Sequence, residues 1–451
     1  MNRIFKRTKW LYILGIAFLA TLLAVFITFV INAKTWVVQP YNNYLFNEGK
    51  MIGLGTITDR NGDMLVQTKN GNRVYSDDVG VRKSTLHVVG DAEGFISTGA
   101  QTAFRSRLTG YNLVNGLYGN DQNENYNLQL TIDAQLSKTA LNALGSYHGT
   151  IGVYNYQTGE ILCAVSTPTY DVENKPKIDP DDSSWEGVYI NRFLSGSFTP
   201  GSTFKIITSA SALENVDDIM RQSFNCPGHY DVPGGGRVKC AGTHGTVSFQ
   251  RALNQSCNSA FARIAATEIS AEELQNTAEE FGFNKTIKVN GIPCEPSFID
   301  LEETYAIDRA WAGIGQYTTL VNPCHECTVL GAIANKNGRT PEPTLIKSII
   351  PSNKLSYCSS ELAAKLDNLL RSNVEDYYGD GKFPNLQMCG KTGTAEVADK
   401  KPHTWFVGYS QREDLPLCIV VVLQNSGSFG VTLAVPTANQ VMQKALQLYT
   451  N

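Results

Sequence analysis

A serine three residues before a lysine is the first pattern with chemical content. In the run Thr199-Pro200-Gly201-Ser202-Thr203-Phe204-Lys205, Pro-Gly precedes a helix-competent stretch, so the spacing predicts Ser202 at a helix N-terminus. Lys205 then lies almost one turn on, along the same face. A serine hydroxyl becomes a nucleophile only when a neighbour takes its proton, and a lysine does so only when burial or nearby cations keep it neutral. Read alone, the pattern equally describes a capped helix with a surface lysine. A second word, Ser256-Cys257-Asn258, supplies a hydroxyl able to relay a proton and an amide able to hold a carbonyl, with a helix N-cap as the competing reading. Ser223-Phe224-Asn225 has the same form and reads as background. The third word is Lys391-Thr392-Gly393-Thr394. A β-strand carrying a lysine, two hydroxyls and a glycine offers a carboxylate site beside which a ligand backbone can lie. A phosphate loop would need glycine at position 385, where the chain has Asn385.

Such groups need a scaffold. The chain has 451 residues, 42% of them hydrophobic and 18% charged, enough for two or three domains and incompatible with a fibrous or disordered class. With 38 basic and 42 acidic residues it lacks the basic excess that nucleic acid demands. Residues 10–31 carry no charge and are long enough to cross a bilayer, with Arg3, Lys6, Arg7 and Lys9 before them. This predicts a cytoplasmic head (1–9), one uncleaved membrane helix (10–31) and an extracytoplasmic remainder. A cleaved signal peptide would show a shorter apolar core ending in a small-x-small site.

Turn signals at Asp59-Arg60-Asn61-Gly62, Asn70-Gly71, Thr109-Gly110 and Asn115-Gly116 mark a small β-rich segment over 34–125. The Asn-rich run from Gly119 to Asn127 reads as its boundary, followed by a main domain over 126–451. There, Leu136, Ala140, Leu141 and Leu144 share a helix face, and 149–166 reads as a hairpin about Gln157-Thr158-Gly159. His403–Ser410 and Pro416–Asn425 form a second hairpin, and a helix runs from Pro436 to Tyr449. Helices between terminal hairpins predict an α+β fold with an antiparallel sheet. The ten cysteines are too sparse for a disulfide scaffold. Cys226 and Cys240 flank a Gly-rich loop, either as a disulfide or as thiols. Cys324-His325-Glu326-Cys327 lacks a second ligand pair and reads as a packed helix.

Taken in order, with 202, 256 and 391 as their anchors, the three words resemble the motif set of penicillin-binding proteins and serine β-lactamases. The resemblance extends to DRNG at 59–62, LTIDAQLS at 130–137, TGEILCAVSTPTYD at 158–171, Asn191-Arg192, His244-Gly245 and KTGTAE at 391–396. With a membrane anchor and a small pedestal, it is closest in form to the monofunctional (class B) penicillin-binding proteins. Two departures stand out: Cys257 where many relatives have Asp, and Tyr317 where they often have Gly. The resemblance implies a penicillin-binding transpeptidase fold and a serine D,D-transpeptidase that cross-links peptidoglycan stem peptides and is acylated by β-lactams. Ser202, Lys205, Ser256 and Lys391 are then catalytic, and Asn258, Thr392, Gly393 and Thr394 bind substrate, with no metal or cofactor required. It further implies a multi-spanning glycan polymerase of the shape, elongation, division and sporulation family as partner. The alternatives are a β-lactamase, a β-lactam sensor and a catalytically idle divisome scaffold. For the β-lactamase, Glu214 is the nearest carboxylate along the chain and reads as a solvated helix residue.

Overall fold

The computed structural model describes residues 2–37, 39, 45–47, 50, 51, 54–111, 113, 116, 126–348 and 353–450. The expected boundary run lies mostly outside them, as does Asn115. The first helix, Asn2–Trp36, contains a stretch from Arg7 to Ala33 that is long and apolar enough to cross a membrane; its most apolar part is uncovered by protein, and Ala33 at its end is buried.

The pedestal segment is less purely β than its turn signals suggest. Strands Ile57–Thr58, Met64–Lys69 and Asn72–Tyr75 form a small sheet, but helix Val79–Val89 packs beside them. Leu128–Gln129, beyond position 125, joins that sheet in parallel with Ile57–Thr58. The two parts of the chain are also stitched by polar contacts. Asp59, fully buried, accepts from the backbone N–H groups of Asn61 (2.8 Å), Asp63 (3.0 Å) and Ala134 (3.2 Å). Arg82 grips Asp171 through two bonds of 2.6 and 2.8 Å, which holds that carboxyl well below its usual range. The DRNG and PTYD words are thus joints of the scaffold.

The main sheet has five antiparallel strands in the spatial order Met388–Val397, Lys400–Ser410, Leu417–Leu423, Gly149–Asn155, Ile161–Thr167. Both expected hairpins are present, and the strand bearing Lys391 forms one edge. Leu417–Leu423 is apolar at every position because both faces are covered. Ile419, Val421 and Leu423 pack behind, against helices Ala134–Leu144 and Ala434–Tyr449. Val420 and Val422 belong to the front core, with Trp405, Val407 and helices Lys205–Asn215 and Pro323–Ala334. The result is an antiparallel sheet between two helical layers.

Helix Pro323–Ala334 is buried along nearly its whole length, and His325 bonds Ser297 Oγ (2.7 Å) and the Phe281 carbonyl (2.8 Å). Its Cys-His-Glu-Cys word is core packing. The Gly-rich loop carries two short ribbons, Ser223–Cys226 with Gly245–Ser248 and His229–Asp231 with Arg237–Lys239. Cys226 and Cys240 are thiols there, so the disulfide alternative for this loop is not realised.

Candidate active site

Ser202 stands in a single 3₁₀ turn, Gly201–Thr203, that feeds the α-helix Lys205–Asn215. In 3₁₀ geometry residues i and i+3 eclipse, which is tighter than the α-turn expected here and points Lys205 directly at Ser202. Their Nζ and Oγ atoms are 3.1 Å apart. The turn is held against the edge strand by close backbone approach. Gly201 has φ +55, and a Cβ there would sit 2.5 Å from the Thr394 carbonyl; one on Gly393 would sit 2.6 Å from the Pro200 carbonyl. Trp405 adds a fastening, its indole N–H donating to the Thr199 carbonyl at 3.0 Å.

The second word arrives from the turn before helix Asn258–Arg263, with Ser256 in the left-handed region at φ +53. Lys205 Nζ donates to the Ser256 carbonyl (2.8 Å) and to Asn258 Oδ1 (2.7 Å), and lies 3.3 Å from Ser256 Oγ. Lys391 Nζ reaches the same hydroxyl at 3.0 Å and its neighbour's carbonyl, Thr392 O, also at 3.0 Å. Ser202, Lys205, Ser256, Asn258 and Lys391 thus form one connected polar network, drawn from three separate elements.

Both lysines are fully buried. Burial, then the nearby Lys391 amine, push Lys205 well below its usual range; burial alone brings Lys391 down to about 7. A neutral amine has two N–H bonds and one lone pair. Two carbonyl-type acceptors take both N–H groups of Lys205, so the lone pair is left for Ser202 Oγ.

The two threonines are less alike than their shared motif suggests. Thr394 is half-buried at the strand edge, whereas Thr392 Oγ1 meets the Tyr378 hydroxyl at 2.9 Å, and the Thr392 N–H donates to that same hydroxyl at 3.0 Å. Tyr378 is in turn held by Asn373 Nδ2 (3.1 Å), which also donates to the Gly390 carbonyl. Neither residue stood out in the sequence, for a tyrosine and an asparagine in a helix carry no motif. Gln316 lies with its side-chain amide against the Glu396 backbone, 3.1 and 3.3 Å away when its oxygen accepts and its nitrogen donates. The adjoining Tyr317 is half-exposed at φ +62, a conformation that suits the glycine expected at this position. Glu214 is exposed in the last turn of the serine helix.

Residues 149–443 match the penicillin-binding protein transpeptidase domain, and the chain belongs to that family. It is 27% identical to the peptidoglycan D,D-transpeptidase PbpA of Mycolicibacterium smegmatis, over 78% of this chain and 80% of that protein. It is 30% identical to stage V sporulation protein D of Bacillus subtilis, over 71% of this chain and 53% of that protein. Among solved structures, the D,D-transpeptidase domain of a peptidoglycan glycosyltransferase from Eggerthella lenta superposes with a TM-score of 0.73 at 26% identity, covering 88% of this chain and 98% of that one. The imipenem acyl-enzyme complex of penicillin-binding protein A from M. tuberculosis shares the fold, with a TM-score of 0.76 at 24% identity over 89% of this chain and 99% of that one.

Proposed function

We propose that this chain is a membrane-anchored peptidoglycan D,D-transpeptidase that works through an ester on Ser202. The observation that carries the proposal is the bond network joining Ser202, Lys205, Ser256, Asn258 and Lys391. Ser202 Oγ attacks the carbonyl between the last two D-alanines of a stem peptide while Lys205 takes its proton. The backbone N–H groups of Ser202 and Thr394 hold the oxyanion. Removal of one such donor typically costs about 3–4 kcal/mol of transition-state stabilisation. The C–N bond then breaks, and D-alanine leaves with a proton passed through Ser256, with Lys391 assisting. The amine of a neighbouring stem peptide attacks the ester, forms the new amide and returns a proton to Ser202 Oγ. Asn258 orients the substrate amide, Gly393 lets the peptide lie along the strand edge, and Thr392 and Thr394 mark the region that receives the terminal carboxylate. A β-lactam follows the first half of this path and stays on the serine.

Ser202→Ala removes the hydroxyl proposed to form the ester. Incubation with a fluorescent penicillin is expected to label the native chain and leave this variant unlabelled at an unchanged melting temperature; persistent labelling would transfer the nucleophile's role elsewhere.

The anchor helix and the basic head support a topology with the N-terminus in the cytoplasm and the transpeptidase domain outside the membrane. That side of the membrane holds the stem peptides. The single membrane helix and the pedestal are the surfaces offered to a multi-spanning glycan polymerase. In a pull-down from membranes, a chain lacking residues 34–120 is expected to lose that polymerase; undiminished recovery would rule out the pedestal as the contact.

A further inference from the structure

Beside the catalytic network lies a second cluster that the acyl-transfer chemistry does not use. Cys226 ends one ribbon, Cys240 follows the other, His244 precedes the return strand, and Cys257 stands between Ser256 and Asn258. One ligand atom from each of the four falls within 4.8 Å of the others. His244 Nδ1 is 3.5 Å from Cys226 Sγ and 3.4 Å from Cys240 Sγ, and the Cys240 and Cys257 sulfurs are 4.0 Å apart. A disulfide needs sulfurs at about 2.05 Å. Zinc–sulfur bonds of about 2.3 Å and zinc–nitrogen bonds of about 2.0–2.1 Å instead put tetrahedral ligand atoms roughly 3.5–3.8 Å apart. We propose that Cys226, Cys240, His244 and Cys257 form a tetrahedral zinc site that positions Ser256 and Asn258 for the serine chemistry.

The surroundings suit thiolate ligands. The Asn258 backbone N–H donates to Cys240 Sγ at 3.2 Å, and Ser259 Oγ lies 3.2 Å from Cys226 Sγ, contacts of the kind that orient metal-bound sulfur. Cys226 and Cys257 are buried, while Cys240 and His244 are partly open, which leaves an entry path. The four ligands come from two short ribbons and the start of a six-residue helix, so one ion would join separate pieces of chain. A metal would add a cross-link to elements already packed through Phe224, Val238, Val247 and Phe261. Cys257 lies between two residues whose polar atoms meet Lys205, and Ser256 must be held in the left-handed region. Fixing the Cys257 sulfur therefore fixes both neighbours. The ligands are separated by 13, 3 and 12 residues, a pattern without the paired Cys-x-x-Cys spacing that makes zinc sites legible in a sequence.

The metal assignment stands independently of the acyl-transfer reading; only the positioning role rests on it. The test uses the full chain purified in detergent. Elemental analysis is expected to find one zinc per chain. Replacement by cobalt should give the thiolate-to-metal charge-transfer band and the intense visible bands of tetrahedral coordination. His244→Cys should retain the metal and His244→Ala should bind it at least tenfold more weakly, so the assignment does not depend on a cysteine variant that fails to fold. A chain without zinc and without these cobalt bands, or one with any two of the three cysteines joined as a disulfide, overturns the site. Chelation should slow labelling of Ser202 by a fluorescent penicillin at least tenfold, with recovery on adding zinc. Equal labelling of the metal-free chain overturns the positioning role while leaving the site itself to the metal analysis.

Discussion

Lys391 carries two opposing demands. Its amine is buried without a carboxylate partner among the described residues, and burial alone lowers its pKa to about 7. The unfolded chain therefore binds more protons than the folded one between pH 7 and the ordinary lysine range, so this residue makes stability rise with pH across that interval. Replacing it with an apolar side chain of similar length removes the desolvated amine. Lys391→Met is expected to raise the unfolding free energy at pH 7 by about 1–2 kcal/mol while impairing acylation, a stability gain at the expense of function. The same cation lowers the pKa of Lys205. In the variant that repulsion is gone, the Lys205 pKa rises, and the acid limb of whatever acylation rate remains should move to higher pH. Melting curves and stopped-flow acylation across pH 5–10 check both halves; an acid limb that stays in place would remove the electrostatic coupling between the two amines.

At the scale of elements, the site depends on how closely a 3₁₀ turn approaches a sheet edge. The approach exists because Gly201 and Gly393 present no Cβ where the two backbones meet. Gly201→Ala would place a methyl 2.5 Å from the Thr394 carbonyl at a positive φ, so either the turn or the strand must retreat. The expected cost is about 1–3 kcal/mol in stability. A shift of about 1 Å between turn and strand can cost a hundredfold in rate, so acylation by a β-lactam should fall by roughly that factor. Denaturant titration and acylation kinetics separate the two effects, and an unimpaired acylation rate would mean that the close approach has no catalytic role. Pro200-Gly201 was readable as the lead-in to a helix, yet the need for glycine was not: the opposing atom lies nearly two hundred residues away.

For the whole molecule, the apolar part of helix Arg7–Ala33 is exposed, whereas the pedestal and the main sheet are joined through Asp59, Asp133, Arg82 and Asp171. The anchor should therefore be separable from the folded body. A chain lacking residues 1–36 is expected to leave the membrane fraction and remain monodisperse in buffer, with the β-lactam acylation rate within about twofold of the full chain. Loss of acylation in a folded, soluble truncation would show that the membrane segment contributes to the site.

Local pattern alone was enough for the apolar N-terminal helix, the two hairpins, the helix from Ala134 and the three words that meet at Ser202, because each is a short-range signal: an uncharged run, alternating apolarity, or residue types at fixed spacing. Tertiary structure decided the rest. It gave Leu128–Gln129 to the pedestal sheet, it turned the Thr392 hydroxyl toward Tyr378, and it gathered Cys226, Cys240, His244 and Cys257 into one cluster. Those outcomes depend on which distant backbones pack together. Long-range packing is set by the volume and polarity of the whole core, so no window of neighbouring residues encodes it.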